Sequence, residues 1–229
     1  MIHVTSAPPV LLILGTDAAG KDYIAEFLIR HWQAAGYAVE KRAGRFSAAA
    51  VDDRSSSERK GRWGRFQEQV FLNLFPLLRP LLPVVARRRL ARDRRRFRPS
   101  VVPLVVVSHT ALRLLALVLG QRREGVDALT RRPALERALR AARPPGTTVV
   151  ALDVAPATRR RRIAARIRSG AVDPFDRYML TDLDRAERIE HCLVELATRY
   201  LNATVIANDD LDEASLEAAL TQAIRSAAS

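Results

Sequence analysis

Cysteine is nearly absent: Cys192 is the one thiol in 229 residues, which excludes an intrachain disulfide and any cysteine-cluster metal site. Set in a helix-like stretch, it reads as a small buried apolar residue. Lysine is almost as scarce. Lys21, Lys41 and Lys60 stand against 35 arginines, so charge alone is supplied by arginine here, and a lysine at a special position asks for its own explanation. Uninterrupted apolar runs are short as well. Pro76, Arg79, Pro80 and Pro83 break 70–86, and Pro103, His109 and Arg113 break 101–120, so neither reads as a transmembrane helix. The opening MIHVTSAPPV has no basic n-region, so no signal peptide is expected and the cytoplasm is the expected compartment. Acid is outnumbered by base, 25 against 38, for a net charge of +13. That excess predicts an anionic partner, whether nucleotide phosphates, nucleic acid or an acidic membrane. The hydrophobic content of 48% is enough for one domain with a substantial core.

The most informative segment is Gly15-Thr16-Asp17-Ala18-Ala19-Gly20-Lys21-Asp22, directly after the apolar run Val10-Leu11-Leu12-Ile13-Leu14. It fits the phosphate-binding pattern G-x-x-x-x-G-K-[S/T] at every position but the last. In that pattern, glycines let backbone N–H groups curl around phosphate oxygens, the lysine reaches the terminal phosphates, and a hydroxyl ligates magnesium. Here Asp22 takes the place of the hydroxyl. A strand before the loop and a helix after it are what the mechanism requires. Ile24, Phe27, Leu28, Ile29 and Trp32 recur near helical spacing, and Gly36 terminates the pattern. The rarity of lysine makes Lys21 a selected residue, because a compact ammonium approaches crowded phosphates where a guanidinium would not. Gly15, Asp17, Ala18, Ala19, Gly20, Lys21 and Asp22 are therefore candidates to bind nucleotide, with Asp22 and Asp17 as candidate metal ligands.

Along the chain the pattern predicts strands at 10–14, 37–41, 102–107, 147–153 and 203–207. Helices are expected at 22–35, through much of 62–97, and at 111–120, 133–142, 157–168, 180–200 and 212–226. The segments 42–60 and 169–175 read as loops. Alternation of strand and helix predicts a single α/β domain with a parallel sheet of about five strands flanked by helices. Its ligands should sit at the carboxyl ends of the strands. Residues 159–177 carry seven arginines. Arg162 and Arg166 share a helix face at i,i+4 spacing, and mobile arginines suit the charge spread of phosphoryl transfer. Arg159 and Arg160 read instead as solvated charge.

Several segments together resemble the thymidylate kinase family. They are Leu152-Asp153-Val154-Ala155-Pro156, then Arg162-Ile163-Ala164-Ala165-Arg166, Asp176-Arg177-Tyr178 and Glu187-Arg188, along with the phosphate loop and Gly36-Tyr37-Ala38-Val39. The resemblance covers about two thirds of the chain and fades over 45–100. It implies a P-loop nucleoside monophosphate kinase fold, with ATP and Mg2+ on the loop. It also implies an Arg-rich lid at about 157–178, catalytic roles for Lys21, Arg162, Arg166 and Arg177, and an acceptor-side helical region at about 45–100. Where that family has Asp-Arg after the third strand, this chain has Ser108-His109-Thr110. Either Asp22, with Asp17, has taken over the metal, or the active site has decayed and binds nucleotide or nothing. The persistence of Gly20, Lys21 and the lid arginines favours the first. Arg42, by its place after the second strand, and His109, at the end of the third, are the acceptor-binding candidates. The loop is also similar to Gly-x-Asp-x-Ala-Gly-Lys of family-2 polyphosphate kinases, which makes a polyphosphate-dependent nucleotide kinase an alternative.

Arg87 to Arg98 holds eight arginines and one acid, Asp93, hence +7 of the total charge. It reads either as a polyanion site or as an exposed helix flanking the acceptor. With Phe97 as its one aromatic it is no stacking platform for single strands. A basic nucleic-acid or membrane-surface binding protein is the third reading. The expected partner is a small nucleotide or another phosphate acceptor, and the sequence leaves room for a homodimer.

Overall fold

The computed structural model describes residues 9–16, 18–47, 62–122, 124–170, 174–209 and 211–228. Five strands form one all-parallel sheet: β1 (Val10–Leu14), β2 (Glu40–Ala43), β3 (Leu104–Val107), β4 (Thr147–Asp153) and β5 (Thr204–Ala207), in the order β2-β3-β1-β4-β5. The helices are α1 (Lys21–Ala34), α2 (Arg62–Leu78), α3 (Leu82–Arg96), α4 (Thr110–Leu119), α5 (Pro133–Arg140), α6 (Pro156–Arg168), α7 (Pro174–Leu180), α8 (Leu183–Leu201) and α9 (Glu213–Ala228). A 3-10 turn occupies Gly125–Arg131.

β1 is apolar at every position because both of its faces are covered. Successive side chains of a strand point to opposite faces. Leu11 and Ile13 accordingly join a core with Ile24, Leu28 and Trp32 of α1 and Leu216 and Leu220 of α9. Val10, Leu12 and Leu14 join the larger core built from α3, α4, α5 and α8. The Leu/Ala-rich run after β3 is α4, buried on nearly every side in that larger core, which accounts for its all-round hydrophobicity. Among the described residues no single helix is long and apolar enough to cross a membrane; α2 and α3 are bent by 112° where they meet.

The sheet positions the chemistry. β1 is central, with β3 on one side and β4 on the other, so the chain leaving β1 emerges where strand order reverses. That is the point at which open α/β sheets bind their ligands. The Ser108 N–H donates to the Ile13 carbonyl at 2.8 Å, and the Gly44 N–H to the Val107 carbonyl at 3.0 Å. The carboxyl ends of β1, β3 and β2 are thereby held side by side.

Among the elements that differ from the sequence expectation, β2 and α7 differ for identifiable reasons. β2 spans 40–43 rather than 37–41, because its register is set by pairing with β3, beginning with the Glu40 N–H on the Pro103 carbonyl at 2.9 Å. α7 forms where a loop was expected to run to residue 175, since Pro174 opens a short helix rather than closing a turn.

Candidate active site

Gly15 and Gly20 are glycines for steric reasons that can be read directly. A Cβ on Gly15 would lie 2.9 Å from the Ala19 Cβ; one on Gly20, at φ +83°, would lie 2.7 Å from the Asn208 amide nitrogen. Ala18 is also left-handed, at φ 63°, an uncommon conformation for alanine that tends to accompany functional turns. Gly20 is the N-cap of α1 and offers no side-chain acceptor. The first-turn N–H groups are thus uncapped by their own N-cap at the positive end of the helix dipole, the arrangement that receives anions. Lys21 follows at once. Its side chain is 10% exposed, and its Nζ lies 3.5 Å from the largely exposed Asp22 carboxylate. Asp17 lies outside the described residues.

The loop is braced from the β4–β5 side. The Asn208 amide donates to the Ala19 carbonyl at 2.7 Å. Arg162 of α6 donates to the Ala18 carbonyl at 3.2 Å and to the Asn208 carbonyl at 2.8 Å, which lays its guanidinium against the phosphate loop. Beneath the loop, the Thr16 hydroxyl donates to Glu190 at 3.3 Å, and buried Glu190 forms an ion pair with buried Arg159. Arg159 is therefore not the solvated charge its neighbours suggested. Its partner lies 31 positions along the chain, on α8, beyond the reach of any local reading.

The other candidate arginines of α6 and α7 diverge. Arg166 binds Asp176 of α7 through two 3.3 Å contacts, and Asp176 is fully buried. Arg177 is exposed on α7. Of the three lid arginines singled out from the sequence, Arg162 touches the loop, while Arg166 is engaged in joining α6 to α7.

On the opposite side, at the carboxyl ends of β2 and β3, a cleft of about 350 Å³ opens between these strand ends and α3. It is lined by Arg45 and by Arg89, Arg92 and Arg96 from one stripe of α3, with Asp93 and His109 also in the wall. Asp93 organises this wall. Its carboxylate accepts the backbone N–H groups of Phe46 and Ser47 at 2.7 Å each and lies 3.1 Å from His109 Nε2. Burial pushes its pKa up, but hydrogen bonds from His109, from the Ser47 side chain and from the two backbone N–H groups outweigh that and bring it down to about 2. With Asp93 ionised, His109 Nε2 carries the proton and donates it. His109 Nδ1 is buried without a hydrogen-bond partner among the described residues. A carboxylate thus stands beside the third strand after all, supplied by α3. Asp93 was missed as a site residue, though a signal existed: it is the one acid in the arginine run, and it continues the buried Ala86–Leu90 stripe at helical spacing.

Arg42 is buried with its guanidinium turned inward. It bonds Glu40 at 2.7 Å, the Phe46 carbonyl and, at 3.4 and 3.5 Å, the Arg98 carbonyl. It supports the 44–47 turn from behind and is not among the residues lining the cleft.

No protein-family model matches this chain, and none of the curated proteins does. Solved structures do. Deoxyadenosine kinase from M. mycoides with bound dCTP is 14% identical, with 95% of this chain and 99% of that chain covered and a TM-score of 0.50. The dATP-bound form of the same enzyme gives 14%, 94%, 99% and 0.48. Polyphosphate kinase 2 from Arthrobacter aurescens TC1 is 16% identical over 95% of this chain and 68% of that one, at a TM-score of 0.42. At such identities the likeness concerns the backbone alone. With its five-stranded parallel sheet, the glycine-lysine loop after β1 and a backbone shared with the first of these enzymes, the chain has the α/β P-loop NTPase fold.

Proposed function

We propose that this protein is a nucleotide-dependent phosphotransferase, with ATP as donor on the Gly15–Asp22 loop and a phosphorylated acceptor in the arginine-lined cleft. The observation that carries this reading is the position of Lys21. The one buried lysine among the described residues follows a left-handed glycine at an uncapped helix N-terminus, and a guanidinium from α6 lies on the same loop. In this reading the α1 N–H groups and Lys21 hold the donor phosphates, and Arg162 stabilises charge that develops on the transferred group. The cleft at β2 and β3 is next to the loop across the β1–β3 pairing. Donor and acceptor thus approach from the two sides of the switch point. Mg2+, when bound, would neutralise charge on the donor phosphates. Asp22, exposed at the first turn of α1, is the one carboxylate among the described loop residues that suits it, and Asp17 is its proposed companion by sequence position.

The thymidylate kinase resemblance narrows the donor side more than the acceptor side, because the acceptor wall is built from Arg45, α3 and His109, which have no counterpart in that family's pattern. A panel of nucleosides, nucleoside monophosphates and polyphosphate, incubated with ATP and Mg2+, tests the reading through product formation. Transfer to a member of the panel that disappears in Lys21→Ala supports it. ATP binding without transfer to any of them would favour a nucleotide-binding regulator, and no ATP binding at all would end it.

A further inference from the structure

The elbow between α2 and α3 carries an apolar surface that neither the phosphate loop nor the cleft uses. Val70, Leu74 and Leu77 share one face of α2 at i, i+4, i+7 spacing, and all three are exposed. Leu81, in the bend, and Val84, in the first turn of α3, are exposed as well. The inner face of α2 is already occupied, with Phe75 buried and its ring edge-on to Tyr178 of α7. Leu77 and Leu81 are 76% and 59% exposed and flank the bend, so the largest apolar exposure is at the tip. Single exposed leucines are ordinary; five aliphatic side chains gathered on one elbow mark an interaction surface.

Charge on the same face identifies the partner. Buried Leu82, Ala86, Leu90 and Asp93 mark the inner side of α3. Val84, Arg88 and Arg95 fall on the opposite side, at i, i+4, i+11 spacing, and both arginines are exposed. They stand about 6 and 16 Å beyond Val84 along the helix, at 1.5 Å per residue. The cleft arginines Arg89, Arg92 and Arg96 are centred about a quarter turn away, so α3 presents two basic stripes. Residues 70–92 contain no carboxylate, so the elbow has no acid to repel an anionic surface. The bend itself suits an apolar medium, in which backbone polar groups must be satisfied within the chain. Pro76, Pro80 and Pro83 have no N–H to leave unpaired. The N–H groups of Arg79 and Leu81 donate to the Phe75 and Leu78 carbonyls, and those of Val84 and Val85 to the Leu81 carbonyl. Arg79, the one charge between Val70 and Ala86, is half-buried and has the long stem that lets a guanidinium reach headgroups.

We infer that the α2–α3 elbow docks the protein on an anionic phospholipid bilayer: Leu77, Leu81 and Val84 enter the headgroup–acyl boundary, and Arg88 and Arg95 meet acidic headgroups. An apolar tip backed by basic side chains is the composition of an interfacial element rather than a span, in keeping with the lack, among the described residues, of a single helix able to cross a membrane. The sequence places attraction to an acidic surface on the arginine run alone. The structure adds the aliphatic elbow and divides the run between cleft and bilayer. The inference does not depend on the phosphotransferase reading.

The test sediments the full chain with vesicles of phosphatidylcholine alone and of phosphatidylcholine with about a third phosphatidylserine, over a range of salt concentrations. Leu77→Ser with Leu81→Ser removes the apolar tip, and Arg88→Gln with Arg95→Gln removes the outer arginines. All four side chains are exposed, and circular dichroism checks that each variant folds. The unsubstituted protein should bind the anionic vesicles at least about tenfold more tightly than the neutral ones. The leucine pair should weaken that binding at least about tenfold at every salt concentration. The arginine pair should weaken it at low salt by on the order of fivefold for each charge and flatten its salt dependence. Removal of two charges from the cleft stripe, as Arg89→Gln with Arg96→Gln, should weaken it far less. Binding that vanishes at high salt and ignores the leucine pair is diffuse adsorption of a basic chain and overturns the inference. Equal binding to both vesicles, no binding to either, or an equal loss from the cleft substitutions overturns it too. So does a dimer, seen by analytical ultracentrifugation, that the leucine pair converts to monomer, because a second copy then covers the elbow.

Discussion

Replacement of Asp93 has the most closely determined consequence. Its carboxylate accepts two backbone N–H groups at 2.7 Å and the His109 proton at 3.1 Å, all in a buried setting. Asp93→Ala leaves three buried donors without an acceptor, at about 1–3 kcal/mol each. Relaxation of the turn and entry of water offset part of that, so a loss of about 3–5 kcal/mol is expected. Asp93→Asn keeps one carbonyl oxygen for one N–H and places an amide N–H2 against another donor, so about 2–3 kcal/mol should be lost. Urea unfolding read by far-UV circular dichroism measures both, with a fall in the midpoint at constant m-value. An acid series supplies a second readout. The Asp93 pKa is depressed from 3.8 to about 2, so its ionised form stabilises the fold fully above pH 4, and that contribution is lost as pH falls from about 4 through 2. A shift of that size corresponds to about 2 kcal/mol. Asp93→Asn should flatten this part of the acid profile relative to the wild type. A loss below 1 kcal/mol in Asp93→Ala, or an unchanged acid profile in Asp93→Asn, would refute the assignment of Asp93 as the organiser of this wall.

Three further outcomes are expected. Gly120→Ala should cost about 1–3 kcal/mol in urea unfolding, because its Cβ would meet the Ile189 backbone at 2.8 Å where α4 crosses α8. Glu190→Leu should destabilise by about 3–5 kcal/mol through the uncompensated buried charge of Arg159, and Arg159→Met in the same chain should restore most of it; a double variant no more stable than the single one would exclude a buried pair. Asn208→Ala, which removes the buried bond to the Ala19 carbonyl, should weaken ATP binding by about tenfold and cost about 1–3 kcal/mol in stability, as measured by calorimetry and urea titration.

The fold was legible wherever a local pattern was sufficient. The apolar run before Gly15 marks β1, and the β-branched run before Ser108 contains β3. The segment 147–153 is β4 with its expected bounds, because Pro144-Pro145-Gly146 and Ala155-Pro156 punctuate it on both sides. The phosphate loop was legible for the same reason: its glycines, lysine and helix start are contiguous. What the sequence hid was long-range pairing. Arg159 looks solvated until Glu190 is seen beneath it. Arg42 looks available until its guanidinium is found bonded to the carbonyls of Phe46 and Arg98. Asp93, one acid among eight arginines, looks incidental until α3 turns it toward Phe46, Ser47 and His109. Each of these depends on which helix face meets which strand end, and that is decided by the packing of the whole sheet rather than by neighbours in sequence.

The central claim is that Lys21 and the loop around it hold the donor phosphates for transfer to an acceptor in the arginine cleft. The most direct test follows the γ-phosphate of labelled ATP into acceptor, with Mg2+, in the wild type and in Lys21→Ala. The account predicts labelled product from the wild type and a loss of at least about a hundredfold in the variant, the scale on which removal of one preorganised electrostatic contact acts. Equal transfer by the two proteins would contradict it.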